Sequence, residues 1–217
     1  MMLRIYVVMC LVLLIPAGAG CRTGAEAEQS RPRDFEKGAM LPEADWNRLQ
    51  EAAWNEQVGD RLGLWVSVTR QELIGIRDGR VEFTYVCSTA EKGVGNRENS
   101  YQTPRGWHLI DEKIGEGLPA GAVLVSRRFT GEVWKPGSET TRDMVLSRIM
   151  WLRGLEPGVN RGTGIDSHDR FIYIHGTPAE NRLGTPASMG CVRLSNADTI
   201  ELYELVRSGT RVLISEW

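Results

Sequence analysis

From Leu64 to the end of the chain, short β-rich runs alternate with segments rich in Gly, Pro, Asn and Asp. The clearest turn signal is Asp78-Gly79, a dipeptide that tolerates the positive φ angles of a type I′ turn. It separates the runs 72–77 and 80–86 and therefore predicts a β-hairpin. The pattern as a whole predicts a mainly β domain over residues 63–215. The other predicted strands are 64–69, 122–127, 144–151, 170–174 and 210–214.

Few helices are expected beside these strands. Residues 41–62 are predicted to form an N-terminal helix, because Pro42 suits a first helical turn and apolar residues then recur at helical spacing. These apolar residues are Trp46, Leu49, Ala53 and Trp54. A later helix is predicted to begin after Ser195, with Asp198 as its capping partner, and to end at Gly209.

The first twenty residues follow a different pattern, which is typical of an export signal. Arg4 supplies a positive charge, and residues 5–15 form an almost unbroken apolar run. Such a run is too short to span a bilayer comfortably, so residues 1–20 are interpreted as a signal peptide. The protein is therefore expected in the periplasm. A formal net charge of −2, with no basic run, gives no electrostatic footprint for nucleic acid.

Two interpretations of the end of this signal remain open. Ala17-Gly18-Ala19 suits cleavage before Gly20, whereas Cys21 resembles the lipid-accepting cysteine of bacterial lipoproteins. If Cys21 carries a lipid, Arg22 does not match the signal for inner-membrane retention, which favours the outer membrane. Residues 21–40 are polar, lack apolar periodicity and are predicted to form a flexible tether.

The cysteines then allow two opposite interpretations. Cys10 lies within the signal and Cys21 beside the expected cleavage site, so only Cys87 and Cys191 belong to the folded domain. In an oxidising compartment, two cysteines would ordinarily form one disulfide. The alternative is that one of them is a free, reactive thiol.

The neighbourhood of Cys191 favours a reactive thiol. His175 ends an apolar strand and enters a loop, which is where rigid scaffolds present reactive groups. A nearby imidazole can take the proton of a thiol, and the backbone carbonyl of Gly176 could orient the ring. The amides of Gly190 and Cys191 are candidate donors to an oxyanion. Arg193 could hold a substrate carboxylate or form a structural ion pair.

At this point the sequence resembles a known family, the L,D-transpeptidases with a YkuD-type catalytic domain, in particular proteobacterial envelope members. The family has a histidine followed by Gly-Thr, and later a Ser-His-Gly-Cys-(Ile/Val)-Arg block. The resemblance covers roughly residues 64–214. The segments that carry it are Tyr173-Ile174-His175-Gly176-Thr177, Ser188-Met189-Gly190-Cys191-Val192-Arg193-Leu194, and the flanking stretches 101–108, 155–162 and 166–168.

The resemblance implies a mainly β sandwich or barrel, with the catalytic loop between a strand and the C-terminal helix. It also implies a cysteine acyltransferase that acts on peptidoglycan stem peptides without a metal or organic cofactor. Cys191 would attack the diaminopimelate carbonyl of a tetrapeptide stem, and His175 would protonate the departing D-Ala. The acceptor would be a second stem, a free D-amino acid or an envelope lipoprotein, while water as acceptor would give a carboxypeptidase or endopeptidase. Substrate contacts are expected from Tyr173, Ser188, Met189, Gly190 and Arg193.

One position departs from the family pattern, because Met189 stands where the family commonly has a second histidine. Since His175 is present, the catalytic pair is expected to be intact and the wall of the pocket to be altered. Three alternatives to the enzyme remain: a Cys87–Cys191 disulfide, a zinc site from His168, His175 and Cys191, and a peptidoglycan-binding lipoprotein without activity.

Overall fold

The computed structural model describes residues 35–138, 140 and 142–217. Ten strands, three α-helices and a short 3₁₀ helix at Glu180–Arg182 form the described part. The helices are α1 (Glu43–Glu51), α2 (Trp54–Gln57) and α3 (Asn196–Leu205). The strands are β1 (Gly63–Ser67), β2 (Glu72–Arg77), β3 (Arg80–Val86), β4 (Gly106–Ile114), β5 (Ala122–Val125), β6 (Arg128–Val133), β7 (Val145–Gly154), β8 (Tyr173–Gly176), β9 (Val192–Leu194) and β10 (Arg211–Ser215).

The strands belong to one mixed sheet, which confirms the mainly β prediction. Its order is β3-β2-β1-β10-β4-β7-β5-β6, with β8 paired to β7 and β9 paired to β8. Most neighbours are antiparallel, but β1 with β10 and β8 with β9 are parallel. The long strand β7 is the branch point, because β4, β5 and β8 all pair with it.

Both faces of the central strands are buried, which explains their continuous apolar runs. Along β1, Leu64 and Val66 face a core that also contains side chains of β8, β9 and α3. Trp65 points the other way, into a second core formed with Leu49 of α1 and Trp54 of α2. Successive side chains of a strand point to opposite faces, so one strand supplies both cores. The presence of β1 and β9 side chains in one core means that the sheet curls around it.

Local signals were predicted well. Asp78 and Gly79 both have positive φ, at 49° and 72°, as a type I′ turn between β2 and β3 requires. The Ser195 side chain accepts a hydrogen bond from the Asp198 amide at 3.0 Å and so caps α3. The helix nevertheless ends at Leu205, four residues before Gly209, because the chain turns there to enter β10.

The N-terminal segment differs from its prediction. Residues 41–62 form two short helices instead of one, because Ala53 has a left-handed backbone with φ of 63° that interrupts the helix. The end of the predicted tether also packs on the domain: Phe35 is buried in the second core, and Met40 bridges to Arg80 of β3. The predicted signal peptide, Cys21 and residues 22–34 lie outside the described residues. None of the helices in the described ranges is long and apolar enough to cross a membrane.

Three strands were not predicted. β6 is exposed along its whole length, so it has no alternation of apolar and polar burial. β4 carries polar and charged residues in its second half, and β9 has only three residues. These strands form because neighbouring strands offer hydrogen-bonding edges, a feature that local sequence does not contain. The strand predicted over 170–174 begins later, at Tyr173.

Candidate active site

The parallel pairing of β8 with β9 places the candidate catalytic residues on one face. His175 lies opposite Arg193, and Ile174 lies opposite Val192. Because side chains alternate along a strand, the even-numbered members face the core, where Ile174 and Val192 are completely buried. The odd-numbered residues face the other side. His175 and Arg193 therefore lie on the same wall as Cys191, which is two residues before Arg193.

The imidazole of His175 is only 3% exposed and is held by its own backbone neighbour. Its Nδ1 lies 2.8 Å from the carbonyl oxygen of Gly176, the group expected to orient it. A carbonyl can only accept, so this contact places the ring proton on Nδ1 and leaves the Nε2 lone pair unprotonated. No hydrogen bond within the described part of the chain involves Nε2. The ring is therefore oriented as a proton acceptor.

The thiol of Cys191 is partly buried at the junction of the loop and β9. The backbone amide of Tyr173 donates to its Sγ at 3.4 Å, and the Phe171 carbonyl oxygen lies 3.5 Å from the sulfur. Burial raises the pKa of Cys191 to about 11, against the opposing effects of the Tyr173 amide and the Arg193 guanidinium. The resting sulfur is thus a neutral thiol at physiological pH.

The imidazole is also neutral in this state. Burial lowers the pKa of His175 to about 4, although the hydrogen bond to Gly176 acts in the opposite direction, and Arg193 lowers it further. A thiol becomes a strong nucleophile when it loses its proton, and a neutral imidazole can accept that proton. The site is therefore suited to general-base activation of the thiol.

The loop before Cys191 is held by Ser188. Its hydroxyl donates to the Cys191 carbonyl at 2.6 Å and accepts from the Gly190 amide at 3.1 Å. Gly190 has φ of 133°, and a side chain there would press against Ile172 and the Gln102 carbonyl. In this structure the Gly190 amide, one of the two predicted oxyanion donors, donates its hydrogen bond to the Ser188 hydroxyl. The Cys191 amide remains the candidate donor.

Arg193 is occupied by protein groups. Its guanidinium donates to Asp143 at 2.6 Å and to the Ala187 carbonyl at 3.0 Å, and the side chain is almost completely buried. Of the two interpretations open from the sequence, the structure supports the ion pair. Asp143 was not predicted, because it lies fifty residues earlier in the chain.

Two clefts meet at this wall. The first, of about 470 Å³, is lined by His175 and Cys191 and is bordered by the exposed side chains of Tyr101, Phe171 and Met189. The second, of about 720 Å³, lies on the side of Trp134 and the 3₁₀ helix. Asp143, Met189 and Arg193 line both clefts. Met189 is 61% exposed and lies, with the Arg193–Asp143 ion pair, on the boundary between the two clefts.

Tyr173 forms another part of the first cleft. Its ring meets Trp151 edge-on at 5.5 Å, and its hydroxyl accepts a hydrogen bond from Arg127 at 3.4 Å. The Arg127 guanidinium also lies over the Trp151 ring, 4.6 Å from its centre. Arg127 belongs to the turn between β5 and β6, so this contact fixes the exposed β5–β6 hairpin beside the site.

Comparisons with known proteins identify the family of this chain. The family model of the YkuD L,D-transpeptidase catalytic domain matches residues 62–214. The chain belongs to this family. It is 29% identical over 123 residues to "Probable L,D-transpeptidase ErfK/SrfK" of Salmonella typhimurium, covering 56% of this chain and 35% of that protein. It is 30% identical over 103 residues to "Probable L,D-transpeptidase YbiS" of Escherichia coli, covering 46% and 34%.

Among solved structures, L,D-transpeptidase 3 from Mycobacterium tuberculosis in complex with a faropenem-derived adduct is 18% identical, with a TM-score of 0.45. That match covers 71% of this chain and 60% of the other. The chain spans about a third of the length of the curated relatives it matches.

The flanking segments that carried the family resemblance meet in a buried network. The Asn160 amide group donates to the carbonyls of Arg105 and Trp107 at 3.0 Å, and the Trp107 amide donates to Glu156 at 2.8 Å. His108 Nε2 lies 2.8 Å from the Ser167 hydroxyl. This network positions the chain that leads to Phe171 and Tyr173, whose backbone contacts the Cys191 sulfur.

Thr103 connects the same region of this L,D-transpeptidase domain to the catalytic loop. Its hydroxyl donates to the Gly190 carbonyl at 3.0 Å and accepts from the Ala90 amide at 2.9 Å. Thr103 was not predicted to belong to the site, although it lies in the 101–108 segment that resembles the family. The 101–108 segment thus contains the hydroxyl that holds Gly190, the residue before Cys191.

The structure excludes two of the alternatives for the cysteines. Cys87 and Cys191 are both free thiols, so the predicted disulfide alternative is wrong. Cys87 is completely buried in the core shared with β8 and β9. The zinc alternative also fails, because His168 stacks on Trp151 at 3.9 Å and groups with Asp111 and Glu112, away from His175 and Cys191.

Proposed function

We propose that this chain is a peptidoglycan L,D-transpeptidase that uses Cys191 as nucleophile and His175 as base. One observation supports the proposal: a partly buried thiol shares a cleft wall with an imidazole whose Nδ1 is bound to Gly176 and whose Nε2 has no partner among residues 35–138, 140 and 142–217. Membership of the YkuD family supports the substrate class.

In the first half-reaction, Sγ attacks the diaminopimelate carbonyl of a tetrapeptide stem as its proton passes to His175 Nε2. The new C–S bond creates an oxyanion, for which the Cys191 amide is the proposed donor. The intermediate collapses with cleavage of the C–N bond, and the protonated His175 gives its proton to the departing D-Ala amine. The product is a thioester between the stem and Cys191.

In the second half-reaction, an acceptor amine attacks the thioester, His175 takes the amine proton, and the sulfur leaves as the thiol. We propose the first cleft for the donor, because Cys191 and His175 line it. The second cleft then offers the acceptor a separate approach, past Met189 and Arg193. Candidate acceptors are a second stem, a free D-amino acid and a lysine of an envelope lipoprotein.

The chain is further proposed to act in the periplasm after export, with Cys21 as the lipid attachment site. This follows from the apolar run and small residues before Cys21. An intact-mass measurement of the mature protein would give a diacylated or triacylated Cys21 as the first residue. A first residue at Gly20, without lipid, would contradict the anchor.

The experiment for the activity uses a carbapenem, which resembles an acyl donor. We expect intact-mass spectrometry to show one adduct on wild-type protein and none on Cys191→Ala, with Cys87→Ala as the matched control that keeps the adduct. An adduct that persists in Cys191→Ala would contradict the assignment. Incubation of tetrapeptide muropeptides with an amine acceptor should then yield cross-linked product. Release of D-Ala without cross-links would identify a carboxypeptidase, and no turnover would favour a peptidoglycan-binding protein.

A further inference from the structure

A second concave site lies where α2, the end of β2 and the turn between α3 and β10 come together. It is a pocket of about 330 Å³ and shares no lining residue with either active-site cleft. Four of its lining residues are arginines: Arg61, Arg77, Arg207 and Arg211. Of the described residues that line it, Glu204 is the one that is acidic. The chain as a whole has a formal net charge of −2, so this concentration of positive charge is local.

Most of this charge has no protein counter-ion. Arg77 pairs with Glu82 at 3.4 Å, and both side chains are substantially exposed, so this ion pair is weak. Among the described residues, no carboxylate lies within ion-pair distance of Arg61, Arg207 or Arg211. The Nε donor of Arg211 is buried and has no hydrogen-bond partner within the described ranges. A buried donor of this kind is costly unless a ligand satisfies it.

The backbone holds two sides of the pocket in place. Arg61 donates to the carbonyls of Val58 and Gln57 at 3.1 and 3.2 Å, which fixes its guanidinium at the end of α2. In the turn after α3, the Arg207 amide donates to the Thr210 hydroxyl, and the Thr210 amide donates to the Arg207 carbonyl. Arg211 then enters β10 opposite Leu109 of β4. The Arg61 guanidinium, fixed in this way, loses less entropy when a ligand binds.

A simpler role for these arginines would be to balance the negative end of the α3 dipole. Lys113 already serves there, because its ammonium donates to the Val206 carbonyl at 2.8 Å. That role also explains neither Arg61 nor Arg77, which belong to other elements.

We propose that this pocket binds a phosphoryl group. Guanidinium groups match phosphate oxygens in charge and in fork geometry, and several of them suit a doubly charged group. The pocket has the volume of about ten water molecules, so the phosphoryl group can be carried by a larger molecule. A phospholipid headgroup and a soluble phosphate ester share this chemistry.

The test titrates inorganic phosphate into the full chain by calorimetry, against chloride at equal ionic strength. The double variant Arg207→Gln/Arg211→Gln should bind phosphate about tenfold more weakly or worse, because two charge-assisted contacts are lost. The control Arg128→Gln/Arg161→Gln removes the same charge outside the pocket and should stay within about twofold of wild type. Circular dichroism melts verify that all three proteins fold. Equal phosphate affinity in the three proteins, or no binding to wild type, overturns the proposal.

Sedimentation with vesicles then separates the two sources of the phosphoryl group. Wild-type and control proteins that sediment with phosphatidylglycerol vesicles more than with phosphatidylcholine vesicles, while the Arg207→Gln/Arg211→Gln protein does not, identify a lipid headgroup. Phosphate binding with no preference for phosphatidylglycerol identifies a soluble phosphate ester. A phosphatidylglycerol preference that persists in the Arg207→Gln/Arg211→Gln protein counts against the pocket as the lipid site.

Discussion

Two buried histidines in this protein have similarly lowered pKa values but differ in the hydrogen bonding of their ring nitrogens. His108 of β4 is completely buried and His175 of β8 is 3% exposed, and burial lowers the pKa of each to about 4. Both ring nitrogens of His108 have partners: the Gly106 carbonyl at 2.9 Å and the Ser167 hydroxyl at 2.8 Å. Among the described residues His175 has one hydrogen-bond partner, Gly176, and its second nitrogen lies on a cleft wall without a partner there.

A shifted pKa therefore does not by itself identify a catalytic base. Burial produces the same shift at a structural and at a candidate catalytic histidine. The distinguishing feature is the unoccupied nitrogen and its access to the cleft. The cysteines show the same contrast, since Cys87 is sealed in the core and Cys191 lines the cleft.

The largest effect is expected when His175 and His108 are each replaced, in separate variants, by glutamine. His175→Gln removes the proton acceptor, so the rate of Cys191 acylation by a carbapenem should fall by about 10²–10⁴-fold. His108→Gln should leave that rate nearly unchanged while lowering the free energy of unfolding by about 2–3 kcal/mol, because glutamine cannot satisfy both partners. Acylation kinetics and urea unfolding measure the two quantities. Comparable loss of acylation in both variants, at a temperature where both are folded, would break the contrast.

The two histidines should behave alike in the pH dependence of stability. The folded-state pKa of each, about 4, lies below the ordinary value of 6.5, so the unfolded chain takes up protons first as the pH falls. Stability is therefore fully present above about pH 6.5 and is lost progressively towards about pH 4. Between about pH 7 and about pH 5, each histidine should cost about 2 kcal/mol.

Urea unfolding at several pH values checks this prediction. His108→Gln and His175→Gln should each remove a similar share of the slope. If the pH dependence of the unfolding free energy changes in one variant and not in the other, the two rings differ in more than the hydrogen bonding of Nε2.

A smaller difference in acylation rate is expected between two serine-to-alanine variants, one beside Cys191 and one beside His108. Ser188→Ala frees the Gly190 amide and the Cys191 carbonyl, and the loosened loop should slow acylation about fivefold. Ser167→Ala removes the partner of His108 Nε2 and should leave acylation within about twofold of wild type. Both variants should lose about 1–2 kcal/mol of unfolding free energy. Unchanged acylation in Ser188→Ala would mean that the loop holds its geometry without that hydroxyl.

Features that depend on a few neighbouring residues were predicted from the sequence. Asp78-Gly79 forms its turn and Ser195 caps α3, since both act within four residues. The Gly176 carbonyl lies beside His175 because it is the next residue along the chain. The helix break at Ala53 was not predicted, because it depends on the packing of Trp54 against Trp107 of β4. The centres of these two rings are 5.6 Å apart.

Features that join distant parts of the chain could not be predicted. The Arg193–Asp143 ion pair and the contact of Arg127 with Trp151 need the pairing of β8 with β7 and of β5 with β7. The occupied amide of Gly190 was also hidden, since the sequence does not show which acceptors the folded loop brings to a donor.

Three features follow from the amino-acid sequence alone: the alternation of short strands and turns, the order of His175 and Cys191 near the C-terminus, and the family to which they belong. These features are local, because backbone preferences and motifs act over a few residues. The folded structure was needed to show that Cys191 is a free thiol on a cleft wall, while Cys87 is buried in the core. The pairing of β8 with β9 sets which side chains reach the cleft, and Arg193 of β9 is also bridged to Ser88, far earlier in the chain.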